Sequence, residues 1–593
     1  MPPKSLSRII SRVLRLFWQG GHIKFNTENL LRNEVFPAEL PPCFSTDDLA
    51  ANATLAIATS NSFGQGYSIP LTYSGYKSES SRRKFALPNP YHYCKAVDFI
   101  VKNESQIKAI LEKSKYSLTA PIERQPRQKQ PYAKRSNTVL DTKREIECLF
   151  QENRYEIRLD INAFFDNIYT HCIPWVVHGI AVAKKHRNNM TLLGNQLDKL
   201  MRALNYDQTN GILVGNAVSR IISEIILCSV DEQISKKFPE ISCCRFVDDY
   251  YIYVSKSSQI QEIISYIRTC LAQYELSFNE NKIRITEGPF LYGNPWVEEI
   301  KQYIHLQPDM FLTKLIIEYN KCKDIAILKY GLKVISYHHY TKNSWPAIQS
   351  RLINLWTRFP SLSDRIVDVF WNNKDLIKIN ALKRAIYSVI DESILLNREQ
   401  ELIWAVWFVK VFDISISQAY ITKVLKTTNE LAIIIMLDIV HSSGQENVAA
   451  ILQQRKNLHN YLKSEDTNEK GTPNSLMWTS HWLLAYESTK NQWLKLPGIP
   501  FEYAKKNRFF NELLNRNVKF YNPGFSYSNP PNKFHNPEFA TRSELYNALR
   551  KMKKSILEQL EGAGLETPSS LTPEEEDLFS KFIEALQADE TIY

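Results

Sequence analysis

The stretch CRFVDDYYIYV, residues 244–254, places two adjacent carboxylates, Asp248 and Asp249, inside a run that otherwise reads as a buried β-strand. Strand interiors disfavour Asp, and a buried carboxylate without a partner is costly. Either the acids sit on a hairpin turn facing water, or something strongly positive offsets them there. The flanking apolar and aromatic residues predict strand, tight turn, strand. A third acid, Asp160, lies near the end of another alternating stretch, YEIRLDI (155–161), 88 positions before Asp248. If the fold brings these strand ends together, they form an oxygen-rich site for a hard divalent ion such as Mg²⁺, which takes oxygen ligands at about 2.1 Å. Two such ions about 4 Å apart stabilise the attacking and leaving oxygens of an in-line phosphoryl displacement.

The rest of the chain bounds the function. Its 593 residues suffice for about two to four domains. With 44% hydrophobic and 23% charged residues it has the balance of a globular protein, which argues against a disordered or fibrous one. A formal charge of +10 favours a polyanionic partner. None of the nine cysteines lies beyond Cys322, and no CxxC pair occurs, so free thiols in a reducing, cytoplasmic setting are expected rather than disulfides or a zinc site. No apolar run is long enough for a bilayer. The nearest, LIWAVWFVKVF (402–412) and LAIIIMLDIV (431–440), contain Lys410 and Asp438 and read as buried helices, so no membrane partner is expected. The N-terminal SLSRIISRVLRLFW sets Arg8, Arg12 and Arg15 on one helical face. It reads first as an ordinary basic helix, with a transit peptide and a nucleic-acid-facing helix as the other readings.

Residues 150–295 alternate strand and helix signals, and VGNAVSRIISEIILCSVDEQI (214–234) has the period of a helix. Beyond about 300 the pattern becomes a succession of amphipathic helices with Trp and Leu as core residues. Before 150, SSRRKFALPNPYHYCKAVDFIVKN (80–103) runs from a basic loop into a helix, and 121–138 reads as an extended basic loop or hairpin.

In order, LDINAFF, GILVGNAVSR, FVDD, LSFNENKIRI and GPFLYG resemble motifs A to E of the reverse transcriptase palm. The resemblance implies an α+β fold: a palm and fingers with an antiparallel sheet and packed helices, followed here by a large all-α, repeat-like C-terminal domain. It divides the chain into an N-terminal extension (1–80), fingers (81–150), palm (151–298) and helical domain (299–593). It also implies a polymerase that uses two Mg²⁺ ions and dNTPs. Asp160, Asp248, Asp249 and the backbone carbonyl of Ile161 would be metal ligands. Lys282 would protonate the leaving pyrophosphate, and Phe165 would be the ring that leaves no room for a 2′-hydroxyl. Gly215 and Asn216 would contact template base or nucleotide, and Lys134 and Arg135, with Arg82, Arg83 and Lys84, would meet the triphosphate or template backbone. Gly293 would mark a primer-grip hairpin. Phe246 stands where the family usually has Tyr, and Leu213 where it often has Pro.

The layout of palm plus helical C-terminal region, with the early segment FPAELPPCFSTDD (36–48), resembles the bacterial defence-associated, abortive-infection reverse transcriptases. That resemblance implies antiphage defence and a homo-oligomer that makes DNA. Some members work without an ordinary template and prime from a protein hydroxyl; Tyr67, Tyr73 and Tyr76 are candidates. Templated copying of a dedicated noncoding RNA, and a non-catalytic nucleic-acid-binding scaffold, are the alternative readings.

Overall fold

A computed structural model describes residues 25–78, 81–120, 147, 149, 152–290, 294–304, 306–336, 340–466 and 475–525. The N-terminal arginine stretch, the basic segment 121–138 with Lys134 and Arg135, and Gly293 lie outside these residues.

The described residues form two antiparallel sheets. In the first, β1 (Leu71–Tyr76) pairs with β2 (Arg82–Leu87). The basic stretch at 82–84, expected as a loop, is therefore the start of a strand. The alternation Leu71, Tyr73, Gly75 turns one face of β1 inward, and Tyr73 stacks on Phe85 with ring centroids 5.4 Å apart. Helix α1 (Pro90–Lys102) follows, with Asn89 as N-cap and Pro90 in its first turn.

The second sheet has the order β4 (Ser242–Phe246), β5 (Asp249–Val254), β3 (Tyr155–Asp160), β6 (Arg284–Glu287), with every pair antiparallel. Its pleat sorts the side chains. Ile157, Leu159, Tyr250, Ile252, Cys243 and Arg245 share the face that packs into the core, and all are buried. Helix α2 (Ala217–Lys237) covers that face, its acids Glu224 and Asp231 reaching Arg245. Helix α3 (Ser258–Ala272) packs beside it through the stripe Ile260, Ile263, Ile264, Ile267 and Leu271. The opposite face carries Asp160, Asp249, Arg158, Tyr251, Glu156 and Tyr253.

Between 294 and 525 the named elements among the described residues are all helical. Trp345, Trp356, Trp407, Trp482 and Trp493 are fully buried there, as the Trp-rich pattern predicts. The two apolar runs are helices α4 (Glu399–Val411) and α5 (Glu430–Ser442). Their lone charges pair with one another, Lys410 Nζ lying 2.9 Å from Asp438 Oδ2. No described helix is long and apolar enough to cross a membrane. The eight described cysteines are all free thiols, seven of them buried.

The helical region is joined to the sheets at several points. Buried apolar residues from Phe25 to Tyr521 form one connected cluster. The outer edge of β1 is satisfied by α4: the amides of Ser74 and Tyr76 donate to Glu399 (2.5 Å) and Gln400 (2.8 Å). Arg82 donates twice to Glu401, both at 2.6 Å. Residues 34–45 form a strap. Glu34 accepts from the Ala217 amide at 2.7 Å, Glu39 accepts from the Trp404 indole at 2.8 Å, and Cys43 accepts from the Asn522 amide at 2.8 Å.

Candidate active site

The β4–β5 hairpin turns in two residues. Phe246 pairs with Asp249, so Val247 and Asp248 make the loop, and Val247 has φ +53°. A β-branched residue in the left-handed region is unfavourable, and this one is held at both ends. Its amide donates to Thr119 Oγ1 at 3.1 Å, and its carbonyl accepts from Arg245 Nη1 at 2.6 Å.

The register sets Asp160, the last residue of β3, directly opposite Asp249, the first of β5. Directly opposed residues project to the same face with Cα atoms about 5 Å apart. Asp248 follows from the loop. The three acids, 88 positions apart in sequence, thus share one end of the sheet. Burial pushes the Asp249 carboxyl up to about 6, and the charges of Asp248 and Asp160 push the same way. Asp248 is also raised, first by burial and then by Asp160, while Lys282 and Arg83 oppose the shift.

Lys282, on a 3₁₀ turn (Glu280–Lys282) before β6, places Nζ 2.8 Å from Asp160 Oδ2. Among the described residues no three His, Cys, Asp or Glu side chains are gathered closely enough to hold a metal ion as they stand. With Asp160 drawn to Lys282, one corner of the acid triangle is engaged by an ammonium. The donor set itself fits Mg²⁺: three carboxylates whose negative charges destabilise one another, all hard oxygen donors. Ile161 is buried at 1% exposure. It forms an isolated antiparallel bridge with Phe278, whose flanking bonds, Asn162 N to Ser277 O (2.9 Å) and Asn279 N to Asp160 O (2.8 Å), do not use the Ile161 carbonyl.

Phe165 follows Asp160 on a short helix (Phe164–Asn167) and is half-buried, its ring edge-on to Phe164 at 5.4 Å. Its carbonyl accepts from Ile212 N at 2.9 Å, tying it to the loop that leads into α2. In that loop Gly215 has φ +95°, and a Cβ there would come within 3.1 Å of Pro37 in the strap. The positive φ favours glycine, and any side chain there would also crowd Pro37. Asn216 is 1% exposed and serves as the N-cap of α2: it accepts from Ser219 N (2.9 Å) and donates to Leu213 O (2.9 Å). The side chain expected to touch a nucleotide is therefore engaged in starting the helix. Two other expectations are also redirected. Arg82 is bound to Glu401, so the exposed Arg83, whose charge reaches Asp248, is the better placed cation of that pair. Tyr73 is 3% exposed, which removes it as an accessible hydroxyl.

The sequence reading missed the support beneath the acids. Arg245 is fully buried between Glu224 (3.0 Å) and Asp231 (2.8 Å). Ser114 and Tyr250 also donate to Asp231, at 2.6 and 2.7 Å, and Ser117 donates to Glu224 at 2.8 Å. The signal was available: Glu224 and Asp231 stand seven positions apart, on one face of an isoleucine-rich helix.

Residues 100–305 match the family model described as reverse transcriptase (RNA-dependent DNA polymerase). The chain therefore carries a reverse transcriptase domain over that stretch, with the antiparallel sheet and helices described above. No curated protein matches it significantly. A telomerase structure from Candida albicans, in complex with a TWJ fragment of telomeric RNA, is 10% identical, with a TM-score of 0.25. That alignment covers 60% of this chain and 65% of the telomerase chain. So distant a likeness carries no argument about this chain's activity or partners.

Proposed function

We propose that this chain is a DNA polymerase that joins dNTPs by nucleotidyl transfer, with Asp160, Asp248 and Asp249 holding two Mg²⁺ ions and the Ile161 carbonyl as a further ligand. The observation that carries this reading is the register of β3 and β5, which sets Asp160 against Asp249 beside a turn bearing Asp248. When bound, the ions would polarise the α-phosphate and favour the ionised form of the attacking hydroxyl. The attacking hydroxyl gives its proton to water, the new bond forms between its oxygen and the α-phosphorus, and the bond to the bridging oxygen of the pyrophosphate breaks. Lys282 leaves Asp160 and protonates the departing pyrophosphate. Phe165 lies under the sugar and excludes a 2′-hydroxyl. Arg83 meets the triphosphate, with Lys134 and Arg135 from the basic segment. Gly215 lets the backbone approach the template base.

The resemblance to defence-associated reverse transcriptases supports the finer reading. In it the protein acts in the cytoplasm in antiphage defence, as a homo-oligomer, extending DNA without an ordinary template from a protein hydroxyl; Tyr67 and Tyr76 remain candidates. The family description names RNA-dependent DNA synthesis, which favours a second reading, copying of an RNA template. The test is incubation of the purified full-length chain with labelled dNTPs and Mg²⁺, with and without RNA, then proteolysis and sequencing of any DNA still attached to peptide. Template-free, peptide-linked DNA is expected. RNA-complementary product would favour the second reading, and no incorporation under either condition would refute both.

A further inference from the structure

The turn that carries Asp248 is clamped from below by groups with no part in the chemistry itself. The segment Ser114–Ala120 runs along the outer edge of β4. Arg245 N donates to Tyr116 O at 2.8 Å, and Leu118 N donates to Arg245 O at 2.7 Å. This brings Thr119 under the turn. Its hydroxyl donates to Glu224 Oε1 at 2.6 Å and accepts from the Val247 amide at 3.1 Å. Arg245, fully buried, donates to the Val247 carbonyl and to Glu224 and Asp231. One closed set of bonds thus fixes both polar groups of a β-branched residue at φ +53°. The two-residue hairpin demands this φ against the preference of a β-branched side chain, and without the bonds to its amide and carbonyl the turn would be held less firmly. Asp248 is the next residue, so its carboxylate would be held less firmly with it.

We propose that Thr119 is a positioning residue: by holding the Val247 amide against the Arg245-bound Glu224, it sets the turn that aims Asp248 and thereby tunes divalent-cation binding at the acidic site. The inference rests on the reading of Asp160, Asp248 and Asp249 as a cation site. The set is ionic as well as geometric. Glu224 is fully enclosed, which alone would raise its carboxyl, yet Arg245 holds it below the ordinary value. Groups hydrogen-bonded to a metal ligand typically alter metal affinity by about 10- to 100-fold when lost, and Thr119, which acts through the Val247 backbone, is expected at the lower end.

The test compares Thr119→Val, which keeps the shape and removes the hydroxyl, with Thr119→Ser, which keeps the hydroxyl. Arg245 itself is a poor choice, since its loss would strand two buried acids. Mn²⁺ is titrated into the full-length proteins and the free ion read by electron paramagnetic resonance, with Asp248→Asn marking the site. Thr119→Val should weaken Mn²⁺ binding about tenfold, and Thr119→Ser should bind within about twofold of the unmodified chain. Both should melt within about 2 °C of it. Unchanged Mn²⁺ affinity in Thr119→Val overturns the proposal. So does a failure of Thr119→Ser to restore binding, or the absence of any Mn²⁺ binding that Asp248→Asn removes. A parallel dNTP assay separates the two readings. If cation binding responds as described and the unmodified chain incorporates nothing, the clamp stands and the polymerase reading falls. If the unmodified chain polymerises and Thr119→Val matches it in rate and Mn²⁺ affinity, the clamp alone falls.

Discussion

Replacing Arg82 with Ala should free the β1–β2 hairpin from the helical region while leaving the acidic site folded. Arg82 makes four hydrogen bonds: two to Glu401 at 2.6 Å, one to Ser74 Oγ at 3.0 Å and one to the Ser74 carbonyl at 2.9 Å. The Glu401 side chain is 2% exposed and that of Arg82 30%. Truncation leaves a buried carboxylate without its cation, a change that costs about 3–5 kcal/mol in buried pairs. Water reaches the guanidinium side of this pair, so the lower end, about 3 kcal/mol, is expected. That corresponds to roughly a 100-fold rise in the opening equilibrium of the hairpin. Native-state hydrogen exchange reads it directly, because the Ser74 and Tyr76 amides donate to Glu399 and Gln400 on the same helix. Both amides should exchange about 100-fold faster in Arg82→Ala, with β5 amides unchanged. In Glu401→Gln, which keeps an acceptor but no charge, the increase should be about tenfold. Exchange at Ser74 and Tyr76 that stays within about twofold of the unmodified protein would refute the anchoring role.

Three further outcomes follow from other parts of the molecule. Glu487 is fully buried and accepts from the Phe520 and Tyr521 amides, and burial pushes its carboxyl from 4.5 to about 7. The folded protein thus binds this proton more tightly than the unfolded chain. The contribution to stability is complete below about pH 4.5 and is lost as pH rises through about 7. Glu487→Gln should flatten that dependence and raise the melting temperature at about pH 8 but not at about pH 5, as read by differential scanning calorimetry. Phe165→Ala should raise ribonucleotide incorporation relative to deoxynucleotide by about tenfold or more in competition assays, since the ring no longer fills the space under the sugar. Lys282→Gln should lower the single-turnover rate by about 100-fold with little change in dNTP affinity.

The acidic hairpin was readable because its chemistry conflicts with its surroundings: Asp248 and Asp249 interrupt an apolar strand pattern, and only a turn or a cation explains that. The strand ending in Asp160 and the long helix after Asn216 were readable from periodicity, as were the two apolar runs, 402–412 and 431–440, whose single charges, Lys410 and Asp438, find each other. What could not be read were pairings between distant segments. The basic run Arg82–Lys84 looks like a solvated loop until β1 is laid beside it, and Arg82 looks like a triphosphate ligand until Glu401, 319 positions away, reaches it. Asn216 satisfies a motif and an N-cap equally well in sequence; its burial decides for the cap. Nothing in the sequence around Arg245 marks it, because the acids that surround it lie on a helix 14 and 21 positions earlier.

Whether Asp160, Asp248 and Asp249 form one cation site is decided by a structure of the full-length protein with Mn²⁺ and a non-hydrolysable dNTP. An anomalous Mn²⁺ signal is expected between the Asp160 and Asp248 carboxylates, with Lys282 displaced from Asp160 toward the phosphates. Mn²⁺ bound elsewhere, with the Lys282–Asp160 pair intact and no nucleotide over the β3–β5 ends, would contradict a shared site.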